Sequence, residues 1–155
     1  MNYTQVQLEK IYICGISVRT TNLNGQSQKD LSELWNRFFI EQVAVSIPNK
    51  ISEEIYCVYT DYESNFMGEY TAILGYKISS SENSSLGLSV KEIPVSTYRV
   101  YQSEGKIPEC VAKTWMHIWQ LPDTDRAYNA DFEIYGQEAQ NPENAIVCTY
   151  LSIKE

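Results

Sequence analysis

The sequence predicts an α+β fold in which duplicated βαββ units form a mainly antiparallel sheet, with two helices on one face and a central cavity. The order strand, helix, strand, strand occurs twice along the 155 residues. Aligning Tyr59 with Tyr135 also superposes the strands that follow the two helices, so the register between the copies is nearly constant. We therefore expect a single domain, residues 1–155, with pseudo-symmetric halves at about 1–80 and 86–155.

The individual elements follow from residue periodicity, because β-branched and aromatic runs predict strands and apolar residues at helical spacing predict helices. Ser27 and Asp30 resemble a capping box for the first helix, and Pro108 lies near the first turn of the second. The first half is predicted to contain strands at 8–18, 54–62 and 69–78 and a helix at 28–40. A polar loop at 79–85 leads to a short extended piece at 88–93, strands at 95–102, 131–136 and 145–153, and a helix after Gly105.

Composition limits the possible functions. Hydrophobic residues make up 43% of the chain, but no apolar run approaches the roughly 20 residues that span a bilayer, and the N-terminus lacks the features of a signal peptide. A cytoplasmic protein without a membrane partner is therefore expected. The net charge of -8 and the lack of a basic stripe argue against direct nucleic-acid binding. Twelve Tyr against four Phe suit an aromatic cavity with a polar lining.

Metal, cofactor and nucleophile sites find no support in the sequence. The four cysteines are widely separated among apolar neighbours and are interpreted as reduced, buried residues. The single histidine, His117, has no nucleophile motif beside it and is expected at a helix edge. The acidic residues at 61, 63 and 69 lack the pattern of a calcium loop, and Asp123, Asp125 and Arg126 are expected in an exposed turn. We therefore expect no cofactor and no metal.

A more informative feature is the run DFEIY at 131–135, which places Glu133 between two apolar residues of a predicted strand. A buried carboxylate is costly unless a positive or hydrogen-bonding group meets it. The internal alignment pairs Glu133 with Cys57, so one half carries an acid where the other carries a small neutral residue. Strand alternation puts Cys57, Tyr59, Glu133 and Tyr135 on corresponding faces, whereas Phe132 and Ile134 point to the opposite face. A solvated strand residue remains the alternative for Glu133.

Several long motifs resemble the GyrI-like small-molecule-binding family, the effector-binding domain of AraC-type and MerR-type regulators. They are LWNRFF, IYCVYTDYES followed by GEYTAILGY, and EGKIPECVAKTWMHIWQLPDTDRAYNADFEIYG. The chain is most similar to the stand-alone, integron-associated members. The resemblance implies the duplicated βαββ fold and a cavity between the halves that binds hydrophobic, aromatic or cationic compounds. No DNA-reading module accompanies the domain, so direct transcriptional control is not expected.

The resemblance also implies a set of site residues. Glu133 matches the glutamate that faces the ligand's positive charge, and aromatic residues of the helices and central strands form the walls. The implied ligand-binding set is Glu133, Tyr59, Tyr70, Trp115, Trp119, Trp35, Phe38 and, as the counterpart of Glu133, Cys57.

Two other functions remain open. Some stand-alone relatives are hydrolases, and a buried glutamate with a raised pKa could act as an acid or base, with Glu133 and Tyr59 as the catalytic pair. An acidic, gyrase-inhibitor-like module that binds a protein partner is the second alternative.

Overall fold

The computed structural model describes residues 1–80 and 87–154, which form one eight-stranded sheet with helices on one of its faces. The strands are β1 (Thr4–Leu8), β2 (Ile11–Thr21), β3 (Lys50–Thr60), β4 (Glu69–Ile78), β5 (Ser89–Ile93), β6 (Ser96–Gly105), β7 (Ala130–Tyr135) and β8 (Ala145–Ile153). The helices are α1 (Gln26–Ile40), the short α2 (Val43–Ser46) and α3 (Glu109–Trp119). The predicted loop at 79–85 lies largely outside the described residues.

All strand pairs are antiparallel, and the order β1-β6-β8-β7-β3-β4-β2-β5 reads symmetrically about its centre. Each half contributes strand, helix, strand, strand, which confirms the predicted α+β class. The sheet curls into a half-barrel. The two halves interleave at the edges, because β1 precedes the first unit yet pairs with β6, and β5 precedes the second yet pairs with β2. The sequence pattern did not predict β1.

The pseudo-two-fold axis passes between β3 and β7, where Cys57 lies directly opposite Glu133 in the strand register. The two residues that the internal alignment makes equivalent are thus cross-strand neighbours. Cys57 belongs to the apolar cluster beneath α1, while Phe132 belongs to the cluster on the other face of the sheet. This confirms the predicted division of side chains between the two faces.

Each long helix packs its apolar stripe on the strands of its own half. Leu34 and Phe38 are the buried residues of α1, and α3 buries Cys110, Val111, Thr114 and Ile118. The predicted capping box is wrong: α1 begins at Gln26 after Gly25, which has a φ of 71°, and Asp30 accepts hydrogen bonds from the Gln26 side chain at 2.9 and 3.0 Å. A glycine in the left-handed region starts this helix without a capping side chain.

Strands β2 and β4 approach very closely at Gly15 and Gly75, which face each other in the register. A Cβ atom at Gly75 would lie 1.9 Å from the backbone oxygen of Cys14, and one at Gly15 would lie 2.0 Å from that of Leu74. Both positions therefore require glycine.

None of the helices in the described ranges is long and apolar enough to cross a membrane. The four cysteines form no disulfide within these ranges; three are buried, as predicted, and Cys148 is half-buried.

Candidate functional site

Glu133 is buried, with 2% of its surface exposed, and it accepts three hydrogen bonds from neutral donors. Its Oε2 accepts from Trp115 Nε1 at 2.6 Å and from the Tyr59 hydroxyl at 2.8 Å. Its Oε1 accepts from the Tyr135 hydroxyl at 2.5 Å. The carboxylate is thus held by one donor from each of β3, α3 and β7, which fixes its position at the junction of the two halves.

Two opposing effects act on the charge of Glu133. Burial raises its pKa above the ordinary 4.5, and the hydrogen bonds from Tyr135, Trp115 and Tyr59 lower it in part. Burial also raises the pKa of the Tyr59 and Tyr135 hydroxyls well above 10.0, so both stay protonated donors at neutral pH. The pKa of Cys57 is likewise raised by burial, and its thiol donates to the Tyr59 hydroxyl at 3.3 Å.

A second carboxylate on the same face of β7, Asp131, is met by a positive charge. It is fully buried and forms an ion pair with Arg126 at 2.7 Å. Asp131 also accepts hydrogen bonds from the Tyr62 hydroxyl at 2.5 Å and from the Ser152 backbone and hydroxyl at 2.8 and 2.9 Å. The prediction that Arg126 lies in an exposed turn is therefore wrong, because only 3% of its surface is exposed.

The contrast with Glu133 is direct. The salt bridges found among the described residues include Arg126 with Asp131 but none with Glu133. Glu133 is thus a buried acid that has hydrogen-bonding partners but no counter-charge in the described part of the chain.

Glu133 lines a cavity of 1260 Å³ between α1 and α3. Apolar and aromatic side chains from both helices and from the central strands form most of its walls. They are Leu31, Trp35, Phe39, Ile55, Tyr59, Ile107, Pro108, Val111, Ala112, Trp115, Tyr135, Ala139 and Pro142. The polar side chains Gln28, Ser32, Glu53, Glu54, Gln137 and Gln140 also border it, and each is exposed to solvent. The cavity therefore has a solvent-exposed polar rim and an aromatic interior with one buried acid.

Four of the residues implied by the family resemblance line this cavity: Glu133, Tyr59, Trp115 and Trp35. The rings contact one another, with Tyr59 edge-on to Trp115 at 5.4 Å between centroids and Trp35 edge-on to Tyr135 at 4.9 Å. Tyr59 and Glu133, which are joined by a hydrogen bond, are the two residues that the hydrolase alternative names as a catalytic pair.

The other four lie outside the cavity wall. Phe38 and Cys57 are buried in the apolar cluster beneath α1. Tyr70 is buried behind Tyr59, 5.8 Å away between ring centroids, and its hydroxyl donates to Asn22 at 2.7 Å.

Trp119 is stacked on Phe66 at 5.9 Å. It lies one turn after Trp115 and at the last residue of α3, so the two tryptophans face different surroundings. Helical spacing alone does not show which of the two tryptophans lines the cavity.

Tyr135 is the hydrogen-bond donor to Glu133 that the implied set omitted. The alternation that places it on the face of Glu133 was the available signal. His117, in contrast, is half-buried against Tyr101 and does not border the cavity. Asp61 and Glu69 form exposed ion pairs with Lys91 and Arg19.

Comparison with known proteins gives three related findings. Residues 5–153 match the family described as integron-associated effector-binding protein. YobU of Bacillus subtilis (strain 168), named as a candidate transcriptional regulator, is 29% identical over an alignment of 145 residues that covers 91% of this chain and 91% of YobU.

Solved structures share the fold over nearly the whole length. SAV2435 bound to tetraphenylphosphonium has a TM-score of 0.79 at 20% identity, covering 99% of this chain and 94% of that one. An integron cassette protein from the mobile metagenome of Vibrio cholerae has a TM-score of 0.74 at 22% identity, with coverages of 98% and 95%. These structures show the shared fold, and the match over residues 5–153 shows that the chain belongs to the integron-associated effector-binding protein family, as the GyrI-like resemblance of its motifs predicted.

Proposed function

We propose that the protein binds hydrophobic, aromatic organic cations in the cavity between α1 and α3, with Glu133 as the counter-charge. The observation that carries the proposal is the state of Glu133: it is 2% exposed, has three neutral hydrogen-bond donors, and forms no ion pair within the described residues. A bound cation would supply the missing charge, as Arg126 does for Asp131.

The walls of the cavity suit the same class of ligand. Trp35, Tyr59, Trp115 and Tyr135 offer ring faces and edges around the acid. A cation over an aromatic face gains about 0.5–2 kcal/mol, and apolar ligand groups gain from leaving water. At 1260 Å³, the cavity is larger than the pockets of about 300–1,000 Å³ that commonly hold drug-sized ligands. A relative with the same fold, SAV2435, has been solved with the aromatic cation tetraphenylphosphonium, which supports the proposal.

Charge neutralisation at Glu133 tests the proposal with little change of shape. In Glu133→Gln, the amide oxygen can take the place of Oε2 and accept from Trp115 and Tyr59. The amide nitrogen can then donate to the Tyr135 hydroxyl, which is able to reorient. Trp115 and Tyr59 keep their hydrogen bonds, the hydrogen bond with Tyr135 reverses its direction, and the negative charge is lost.

The experiment is a calorimetric titration of tetraphenylphosphonium into the wild type and Glu133→Gln. At about 5 Å and an effective dielectric constant of about 20, two unit charges interact by about 3 kcal/mol, so an affinity loss on the order of 100-fold is expected. Glu54→Gln is the matched control, because it removes one exposed rim carboxylate and should change affinity less than about threefold. Neutral triphenylphosphine oxide should bind the wild type and Glu133→Gln alike. Equal tetraphenylphosphonium affinity for those two proteins would reject the proposed role of Glu133.

A further inference from the structure

We propose that the cavity selects organic cations without N–H groups, such as quaternary ammonium and phosphonium ions, over primary ammonium ions of the same skeleton. The inference rests on the proposed function and concerns how Glu133 meets the charge. Its basis is the number of hydrogen bonds that the carboxylate can still accept.

A carboxylate offers about four lone-pair sites. Trp115 and Tyr59 occupy both sites of Oε2, and Tyr135 occupies one site of Oε1. One lone pair on Oε1 therefore remains for a ligand. A phenol oxygen that donates its hydrogen commonly accepts one hydrogen bond. The Tyr59 oxygen already accepts from Cys57, so the Tyr135 oxygen is the additional acceptor among the hydroxyls that hold Glu133.

A primary ammonium carries three N–H donors, which exceeds these two remaining acceptors. The other polar side chains that border the cavity are exposed to solvent, whereas the rings that hold Glu133 pack against apolar groups: Tyr135 contacts Trp35, and both Trp115 and Tyr135 pack in the cluster of Val111. A primary ammonium beside Glu133 would thus bury at least one N–H without a partner among these side chains, and an unmet buried donor weakens binding. A quaternary cation carries no such donor and meets Glu133 by charge alone.

The test compares two fluorescent cations, (9-anthracenylmethyl)trimethylammonium and (9-anthracenylmethyl)ammonium, at about pH 7, where each carries one positive charge. The wild type should bind the quaternary ion at least about tenfold more tightly. Water solvates the two ions differently, so the selectivity ratio is also measured in variants, where that difference cancels.

Tyr59→Phe and Trp115→Phe each free one lone pair of Oε2 while keeping an aromatic ring. The ratio should fall about three- to tenfold in these variants, through tighter binding of the primary ammonium. Tyr56→Phe is the control, because Tyr56 lies on the same strand as Tyr59 but packs on the opposite face of the sheet, and the ratio should not change.

A fall of the ratio in Tyr59→Phe or Trp115→Phe supports the inference. A ratio near one in the wild type, or a ratio unchanged in both variants, overturns the inference about selectivity. If binding of the quaternary ion still depends on Glu133, the proposed function stands. Failure of the wild type to bind either cation overturns both.

Discussion

Asp131 and Glu133 lie two residues apart on the same face of β7, and replacing each by its amide should affect stability in opposite ways. Asp131→Asn removes the counter-charge of Arg126, which is 97% buried and also stacks on Tyr128 at 4.2 Å. Glu133→Gln removes a buried charge that has no cationic partner in the described residues. Asp131→Asn therefore leaves the buried charge of Arg126 without its partner, whereas Glu133→Gln removes a buried charge that lacked one in the described residues.

The magnitudes follow from burial. Breaking a buried ion pair from one side costs about 3–5 kcal/mol, because the remaining charge is left without compensation. At about 2–4 °C per kcal/mol for a chain of this size, Asp131→Asn should lower Tm by about 6–20 °C. Glu133→Gln keeps a hydrogen bond to each of its three neighbours, the one to Tyr135 in the reverse direction, and relieves the cost that raises the pKa of Glu133, so its Tm should be equal to or above that of the wild type.

Thermal unfolding followed by circular dichroism measures both variants under one set of conditions. The double variant Asp131→Asn/Arg126→Met adds a check, because removing both charges should cost less than the sum of the single changes. Tm values for Asp131→Asn and Glu133→Gln that agree within about 2 °C would refute the reasoning that one acid is compensated and the other is not.

Three further predictions concern pH, the cavity wall and the sheet. Because the pKa of Glu133 is raised on folding, the stability that its protonated form contributes is fully present below about 4.5 and is lost as pH rises through the folded pKa. In denaturant titrations, the stability of the wild type relative to Glu133→Gln should therefore fall as pH rises above about 4.5. Over the same pH range, the affinity for tetraphenylphosphonium should rise in the wild type and stay constant in the variant. Trp35→Ala should weaken binding of charged and neutral aromatic ligands alike by about tenfold in fluorescence titrations, whereas Trp119→Ala, outside the cavity wall, should change it less than about threefold. Gly75→Ala should destabilise the fold by about 3 kcal/mol in urea unfolding, because its Cβ would overlap the Cys14 backbone oxygen at 1.9 Å.

Much of the fold could be predicted because its elements repeat and have clear periodicities. The pairing of Cys57 with Glu133 came from the internal alignment, and the structure places the two residues opposite each other at the pseudo-two-fold axis. The edge strand β1 was not predicted, because it is only five residues long and is stabilised by pairing with β6 of the other half. Such a long-range partner leaves no local sequence signal.

The features of the site that the sequence did not predict also have physical reasons. Alternation placed Glu133 and Tyr135 on one face of β7, but it could not show that the indole of Trp115 donates to the carboxylate. The burial of Arg126 was missed because its partner, Asp131, lies across a turn, and a charged residue beside Asp125 resembles an exposed loop. Contacts made only in three dimensions determine both environments: a neutral indole donor meets Glu133, and a buried carboxylate meets Arg126.

The measurement that tests the central claim most directly is a crystal structure of the protein with tetraphenylphosphonium. We predict that the phosphonium lies between α1 and α3, with its phosphorus within about 6 Å of the Glu133 carboxylate and its phenyl rings against Trp35 and Trp115. Phosphonium bound elsewhere on the chain, with Glu133 still covered by its three neutral donors, would contradict the claim that this acid is the counter-charge of the ligand.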